Sequence, residues 1–254
     1  MRLINPVLFG LFVSFFSLTS VAQELSLRHG EITVHYGEPV TLEAAQMVAE
    51  RAEAGFTIVR AFLAQAQTYS GEPYSEPIEI FIDPDRFAPY QRGATISLPQ
   101  SRVLNIYNKN TEDRTDIGLV HEITHVLAAS FNRSNRDRFY DDGLAVYLQH
   151  RFGVEPNYPN FGQDLYTATV KIAARHEGFI PLSETEATRR ASETRTGRQL
   201  AYLQEGAFTQ FLIENYGLNA YFRIYQGENL KRVTGKSLNV LETDWLKVLK
   251  AIPF

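Results

Sequence analysis

Residues 121–125 read His121-Glu122-Ile123-Thr124-His125 inside the apolar stretch IGLVHEITHVLAAS. Four residues advance a helix by about 400°, so both imidazoles leave one face, one turn apart. From there two ring nitrogens can reach one metal ion at the roughly 2.0–2.1 Å typical of zinc–nitrogen bonds. Glu122 sits about 100° round from His121. That position suits a general base that takes a proton from a water attacking a carbonyl. The flanking Leu119, Val120, Ile123, Val126 and Leu127 make the helix a buried one. Two histidines and a glutamate on such a helix are costly unless something partners them.

The composition narrows what that partner can be. The chain has no cysteine and six histidines, which removes disulfide frameworks, thiolate zinc sites, iron–sulfur clusters and a cysteine nucleophile. A metal here must be held by His and carboxylate, a set found more often in hydrolytic than in structural sites. With 25 Lys+Arg against 29 Asp+Glu the formal charge is −4, and no basic stripe points to nucleic acid. The 44% hydrophobic content argues for a folded chain with a substantial core.

A third ligand is needed. The continuation with Gly and His that a metzincin requires is replaced by Ala128 and Phe131, so that arrangement is excluded. Downstream lies Phe139-Tyr140-Asp141-Asp142-Gly143-Leu144-Ala145-Val146-Tyr147. Helical-wheel arithmetic about the stripe Tyr140, Leu144, Tyr147 and Leu148 puts Asp141 about 60° from Leu144 and Asp142 about 160° away. Periodicity by itself thus selects Asp141, and either acid also suits the start of a helix through its dipole.

Together, HExxH and the later D-G-L-A-x-Y resemble the gluzincin metallopeptidases, above all the peptidase-MA-like group. The second motif helix of that group carries its third zinc ligand, a Glu, at the position of Asp142. The resemblance therefore implies one Zn²⁺ held by His121, His125 and Asp142, with Glu122 as general base. Residues 201–217 (AYLQEGAFTQFLIENYG) look like a later helix of the same group. The likeness extends over about residues 25–230, with only the two motif segments specific. The departure is Asp for Glu at 142, whose carboxylate lies roughly 1.5 Å nearer the backbone. The helix must then approach the metal more closely, or the site is weaker.

Gluzincins often use a downstream tyrosine or histidine to stabilise the oxyanion. The resemblance implies Tyr202 for that role, with Tyr216 and His176 as weaker candidates. It also implies that residues 102–107 (RVLNIY), read as an edge strand, pair with extended substrate. His29 and His35 are expected to be structural, and His150 to face solvent at a helix end.

These residues need a scaffold. Residues 31–36, 77–82, 94–97 and 102–107 read as strands. Residues 41–69 read as one long helix or two joined near Gly55. Beyond Asp113, helical spacing governs 114–130, 139–151, 163–177, 200–215, 218–227 and 238–251, whereas polar Ser183–Arg198 reads as a solvated loop. The expected fold is α+β and zincin-like, with a small mixed or antiparallel sheet in about 23–130 and a mainly helical part in about 131–254.

Residues 1–22 read as a cleaved secretory signal, with Arg2, the apolar run Pro6–Phe16 and Ser20-Val21-Ala22 before a mature start at Gln23. The expectation is an exported zinc metallopeptidase acting on peptide or protein, periplasmic or secreted, with no stable membrane insertion. Two other readings use the same residues: a decayed zincin-fold binding protein with a structural metal or none, and a zinc amidase for a non-peptide amide. Asn132-Arg133-Ser134 is a glycosylation sequon.

Overall fold

The computed structural model describes residues 25–67, 77–109, 116–129, 131, 138–191 and 194–253. Residues 1–22, read as a secretory signal, and Asn132 of the sequon lie outside the described residues. Leu25–His29 (β1) and Ile32–Tyr36 (β2) form an antiparallel hairpin. It turns at Gly30, whose φ of +57° favours a residue without Cβ. Leu42–Leu63 (α1) follows, capped by Thr41, whose hydroxyl accepts from the Ala44 amide. Ile78–Asp83 (β3), Tyr90–Arg92 (β4) and Thr95–Pro99 (β5) complete a five-stranded sheet in the order β1-β2-β3-β5-β4. The central β2–β3 and β3–β5 pairs are parallel and the two outer pairs antiparallel. Alternate residues of β2 and β3 are buried, and Ile32, Val34, Ile78 and Ile80 are fully so.

Residues 102–107 are not a strand. They belong to a helix, Gln100–Tyr107 (α2), that starts directly behind Pro99. Its buried residues Val103 and Ile106 are three apart, a helical spacing that reads as alternation over so short a stretch. The sheet edge on this side is β4 instead.

Gly55 does not divide α1. Leu119–Ala128 (α3) packs there, and a Cβ on Gly55 would lie 3.3 Å from Ile123 Cδ1 and 3.4 Å from Val120 Cγ2. The glycine marks a helix crossing rather than a break.

No strand occurs among the described residues after β5. The helices are Arg138–Phe152 (α4), Leu165–Arg175 (α5), Thr185–Ala191 (α6), Arg195–Tyr216 (α7), Leu218–Tyr225 (α8), Leu230–Thr234 (α9) and Leu238–Lys250 (α10). The stretch expected as a solvated loop, 183–198, instead holds a 3₁₀ turn (Leu182–Glu184), α6 and the start of α7. α4 lies hard against α7. A Cβ on Gly143 would come within 2.5 Å of Thr209 Oγ1 and 2.7 Å of the Glu205 carbonyl, and one on Gly206 would overlap Val146. One apolar cluster joins the sheet and α1 to α3, α4, α7 and α8 and reaches Trp245 on α10. None of the described helices is long and apolar enough to cross a membrane.

Candidate metal centre

α3 begins at Gly118, whose φ of +91° turns the chain into the helix. Leu119, Val120, Ile123, Val126 and Leu127 are buried on it, while His121 and His125 are only half-buried. The i, i+4 spacing brings their Nε2 atoms to 3.2 Å from each other. Asp142 arrives from the first half of α4, with Oδ1 3.9 Å from His121 Nε2 and 3.6 Å from His125 Nε2. A tetrahedral ion with bonds of about 2.0–2.1 Å holds its ligand atoms about 3.3 Å apart. Two neutral nitrogens and one anionic oxygen, spaced close to that edge length, fit a divalent metal ion, and the three residues form a group able to hold one. The shorter aspartate side chain does reach.

Both acids contribute, in different places. Asp141 Oδ1 lies 3.5 Å from His125 Nδ1, the ring nitrogen turned away from the cluster, and accepts a 2.8 Å hydrogen bond from the Tyr225 hydroxyl on α8. A carboxylate behind a ligand imidazole fixes its tautomer and raises its basicity. The wheel fails to rank the two acids because α4 has no single apolar stripe. Asp142 through Gln149 are all buried, since α3 and α7 both pack on this helix.

The other oxygen of Asp142 meets a residue from the stretch that reads as a loop. Arg189 Nη2 of α6 lies 2.7 Å from Asp142 Oδ2, and Arg189 Nε lies 3.1 Å from Glu205 Oε2 of α7. The guanidinium also stands 5.1 Å from the Tyr202 ring centroid. Glu205 is fully buried and Arg189 is 8% exposed. Sequence reasoning missed Arg189 and Glu205. The buried positions of α6 are Thr185 and Arg189, so its inward face carries no apolar signal. The available clue was Thr-Glu-Ala-Thr-Arg-Arg-Ala itself, a run with a Glu186–Arg190 pair at i, i+4.

Charge follows burial in this cluster. Burial and the charge of His125 hold His121 well below the usual imidazole range. For His125 burial works in the same direction, but hydrogen bonds and charge from Asp141 and Asp142 overcome it and push the group up. A bound ion would compete with protons for these nitrogens. Burial opposes the charge on Asp142, yet His125 and Arg189 hold its carboxyl below the ordinary range. Burial pushes Glu205 far up despite Arg189. Glu122, buried beside the pair, is pushed up to about 7 by desolvation.

His121, Glu122 and Tyr202 line one cleft of about 450 Å³. Tyr202 meets the His121 ring edge-on at 6.2 Å and Tyr158 at 6.0 Å, and burial raises its phenol so that it stays protonated. The other two donor candidates do not line this cleft. Tyr216 ends α7, about 20 Å along the helix from Tyr202, and His176 caps α5 with Nδ1 3.3 Å from the Gly178 carbonyl. His35 is tied to Glu79 and stacked on Phe81. His29 ends the exposed strand β1. His150 differs from expectation: it is half-buried, with Nδ1 3.1 Å from Asn160 Nδ2 on the connection between α4 and α5.

No family model matches this chain, and no curated protein and no solved structure matches it either.

Proposed function

We propose that the protein is a zinc-dependent hydrolase of the gluzincin type that cleaves peptide bonds. The observation that carries this is the convergence of His121, His125 and Asp142 on one point, with buried Glu122 beside them in the wall of an open cleft. The resemblance of the HExxH and D-G-L-A-x-Y segments to that group, with the zincin-like fold it implies, supports the same reading.

His121, His125 and Asp142 would hold the zinc ion, which when bound would supply Lewis acidity. Glu122, close to neutrality in its pKa, takes the proton of the attacking water and returns it to the leaving nitrogen. Tyr202, a protonated phenol in the same cleft, donates to the oxygen on which negative charge develops. Asp141 and Arg189 hold His125 and Asp142 in place. With residues 1–22 read as a secretory signal, the enzyme works outside the cytoplasm. A non-peptide amide would be hydrolysed by the same groups.

One observation favours a second reading. Arg189 already neutralises Asp142, as it would in a binding protein whose metal site has decayed. The two readings separate on metal analysis and on a Glu122→Gln variant. A zinc hydrolase gives one zinc per chain by elemental analysis. Its E122Q form keeps that zinc while kcat/KM on a peptide library falls about 10³-fold. Wild-type turnover by E122Q overturns the general-base assignment, and protein that takes up no zinc on titration supports the binding protein.

A further inference from the structure

Asp142 has two carboxylate oxygens, and they face different partners. Oδ1 lies 3.6 Å from His125 Nε2 and 3.9 Å from His121 Nε2, whereas Oδ2 lies 2.7 Å from Arg189 Nη2. Neither Oδ2 nor Nη2 makes an aligned hydrogen bond, so their contact is an ion pair between two buried charges. The guanidinium has nowhere to retreat. Fully buried Glu205 holds its Nε at 3.1 Å, and the Tyr202 ring stands 5.1 Å from its Cζ. Drawing it away from Asp142 would leave an uncompensated charge in the interior.

The backbone behind Asp142 is equally fixed. A Cβ on Gly143 would come within 2.7 Å of the Glu205 carbonyl and one on Gly206 would overlap Val146, so α4 and α7 already stand at closest approach. α4 therefore cannot move toward α7 to widen the gap between residue 142 and the histidines. A glutamate at 142 would carry its carboxylate roughly 1.5 Å farther from the backbone. That extra length runs into the imidazole pair or into the guanidinium.

We propose that Arg189, anchored by Glu205, is a positioning residue that restricts Asp142 to ligation through one oxygen and makes aspartate, not glutamate, the acid this site accepts. Chelation through both oxygens would bring the ion toward a fixed guanidinium, a like-charge approach in the low-dielectric interior. Ligation through Oδ1 alone leaves the fourth position of a tetrahedral ion open to water. Asp142 and Arg189 are thus a matched pair, in which the shorter acid leaves the room that the guanidinium fills. The inference rests on the metal reading of the site and not on the reaction.

Metal binding by the full-length protein tests this without turnover. Zinc affinity comes from competition with a chromogenic chelator. Co²⁺ in place of zinc reports coordination number through its visible d–d absorption, which weakens as ligands are added. D142E, despite its longer reach, should bind zinc at least about tenfold more weakly than wild type. R189M/E205Q removes the guanidinium together with the acid it would orphan, and its Co²⁺ absorption should weaken as Asp142 turns both oxygens to the ion. In that background the added D142E change should cost less than about threefold in zinc affinity. R190Q, at the exposed neighbouring arginine paired with Glu186, should match wild type in both measurements. Wild-type zinc affinity in D142E overturns the proposal, and so does an unchanged Co²⁺ spectrum in R189M/E205Q. Should that double variant not fold, wild type decides: a four-coordinate Co²⁺ spectrum supports one-oxygen ligation and a five-coordinate one overturns it. Failure of the metal reading looks different, because wild-type protein then takes up neither zinc nor cobalt, and the proposal falls with the site.

Discussion

The carboxylate of Asp142 is met on its two sides by groups of opposite character. One oxygen faces the imidazoles of α3, local to one another in sequence and placed by helix geometry alone. The other faces Arg189 and, through it, Glu205, which come from α6 and α7 and find each other only in the folded chain. The α3 side is an ordinary amphipathic helix with two histidines and a glutamate inserted into its pattern. The α6–α7 side is a buried ion network with hardly any pattern at all. Chemistry held by one turn of helix is written in residue spacing, and chemistry held by long-range ion pairs is not.

Removing the cation that joins the two sides tests this contrast most severely. Arg189→Met leaves Asp142 and Glu205 buried without their counter-charge, and breaking a buried pair by deleting one partner typically costs 3–5 kcal/mol. Chemical denaturation should show a loss of that order. Arg189→Met combined with Glu205→Gln should recover part of it, because the second change removes one orphaned acid. A single variant as stable as wild type would show that the network carries no weight in the fold.

The next effect divides the two acids. Asp142→Asn removes the anionic oxygen that faces both Nε2 atoms of the histidine pair, and zinc affinity should fall by at least about 100-fold. Asp141→Asn removes the group behind His125, where losses of about 10–100-fold are typical. Competition with a chromogenic chelator ranks the two. The reverse order would exchange their roles and return the assignment to the one that helical periodicity favours.

How much was readable follows from the same contrast. His121, Glu122 and His125 are legible because their whole geometry lies within one turn of helix. Asp142 needed the resemblance, since α4 is buried on nearly every face and its wheel carries little directional information. Arg189 was illegible because the face of α6 turned inward is Thr185 and Arg189, and a search for apolar periodicity passes over it. The strand expected at 102–107 failed for the opposite reason: in a stretch of only six residues, apolar side chains at Val103 and Ile106 fit either period. The central strands β2, β3 and β5 were readable from alternation, whereas the outer strands β1 and β4 are largely exposed and carry no such signal.

The smallest effects come from two glycines at helix crossings, one on each side of the centre. At Gly143 an added Cβ meets the Glu205 carbonyl at 2.7 Å, and backbone cannot turn aside as a side chain can. Gly143→Ala must therefore part α4 from α7, at about 1–3 kcal/mol for overpacking. Because Asp142 is the preceding residue, zinc affinity should drop with it. At Gly55 the nearest atoms are the tips of Ile123 and Val120, at 3.3 and 3.4 Å, and each can yield by a few tenths of an ångström. Alanine there also gains about 0.5–1 kcal/mol of helix propensity over glycine. The two terms are of similar size and opposite sign, so Gly55→Ala should change stability by less than about 1 kcal/mol and leave metal affinity unaltered. A loss at Gly55 as large as at Gly143 would mean that the α1–α3 crossing is as tightly fitted as that of α4 and α7. The histidine side of the centre would then depend on long-range packing as much as the arginine side does.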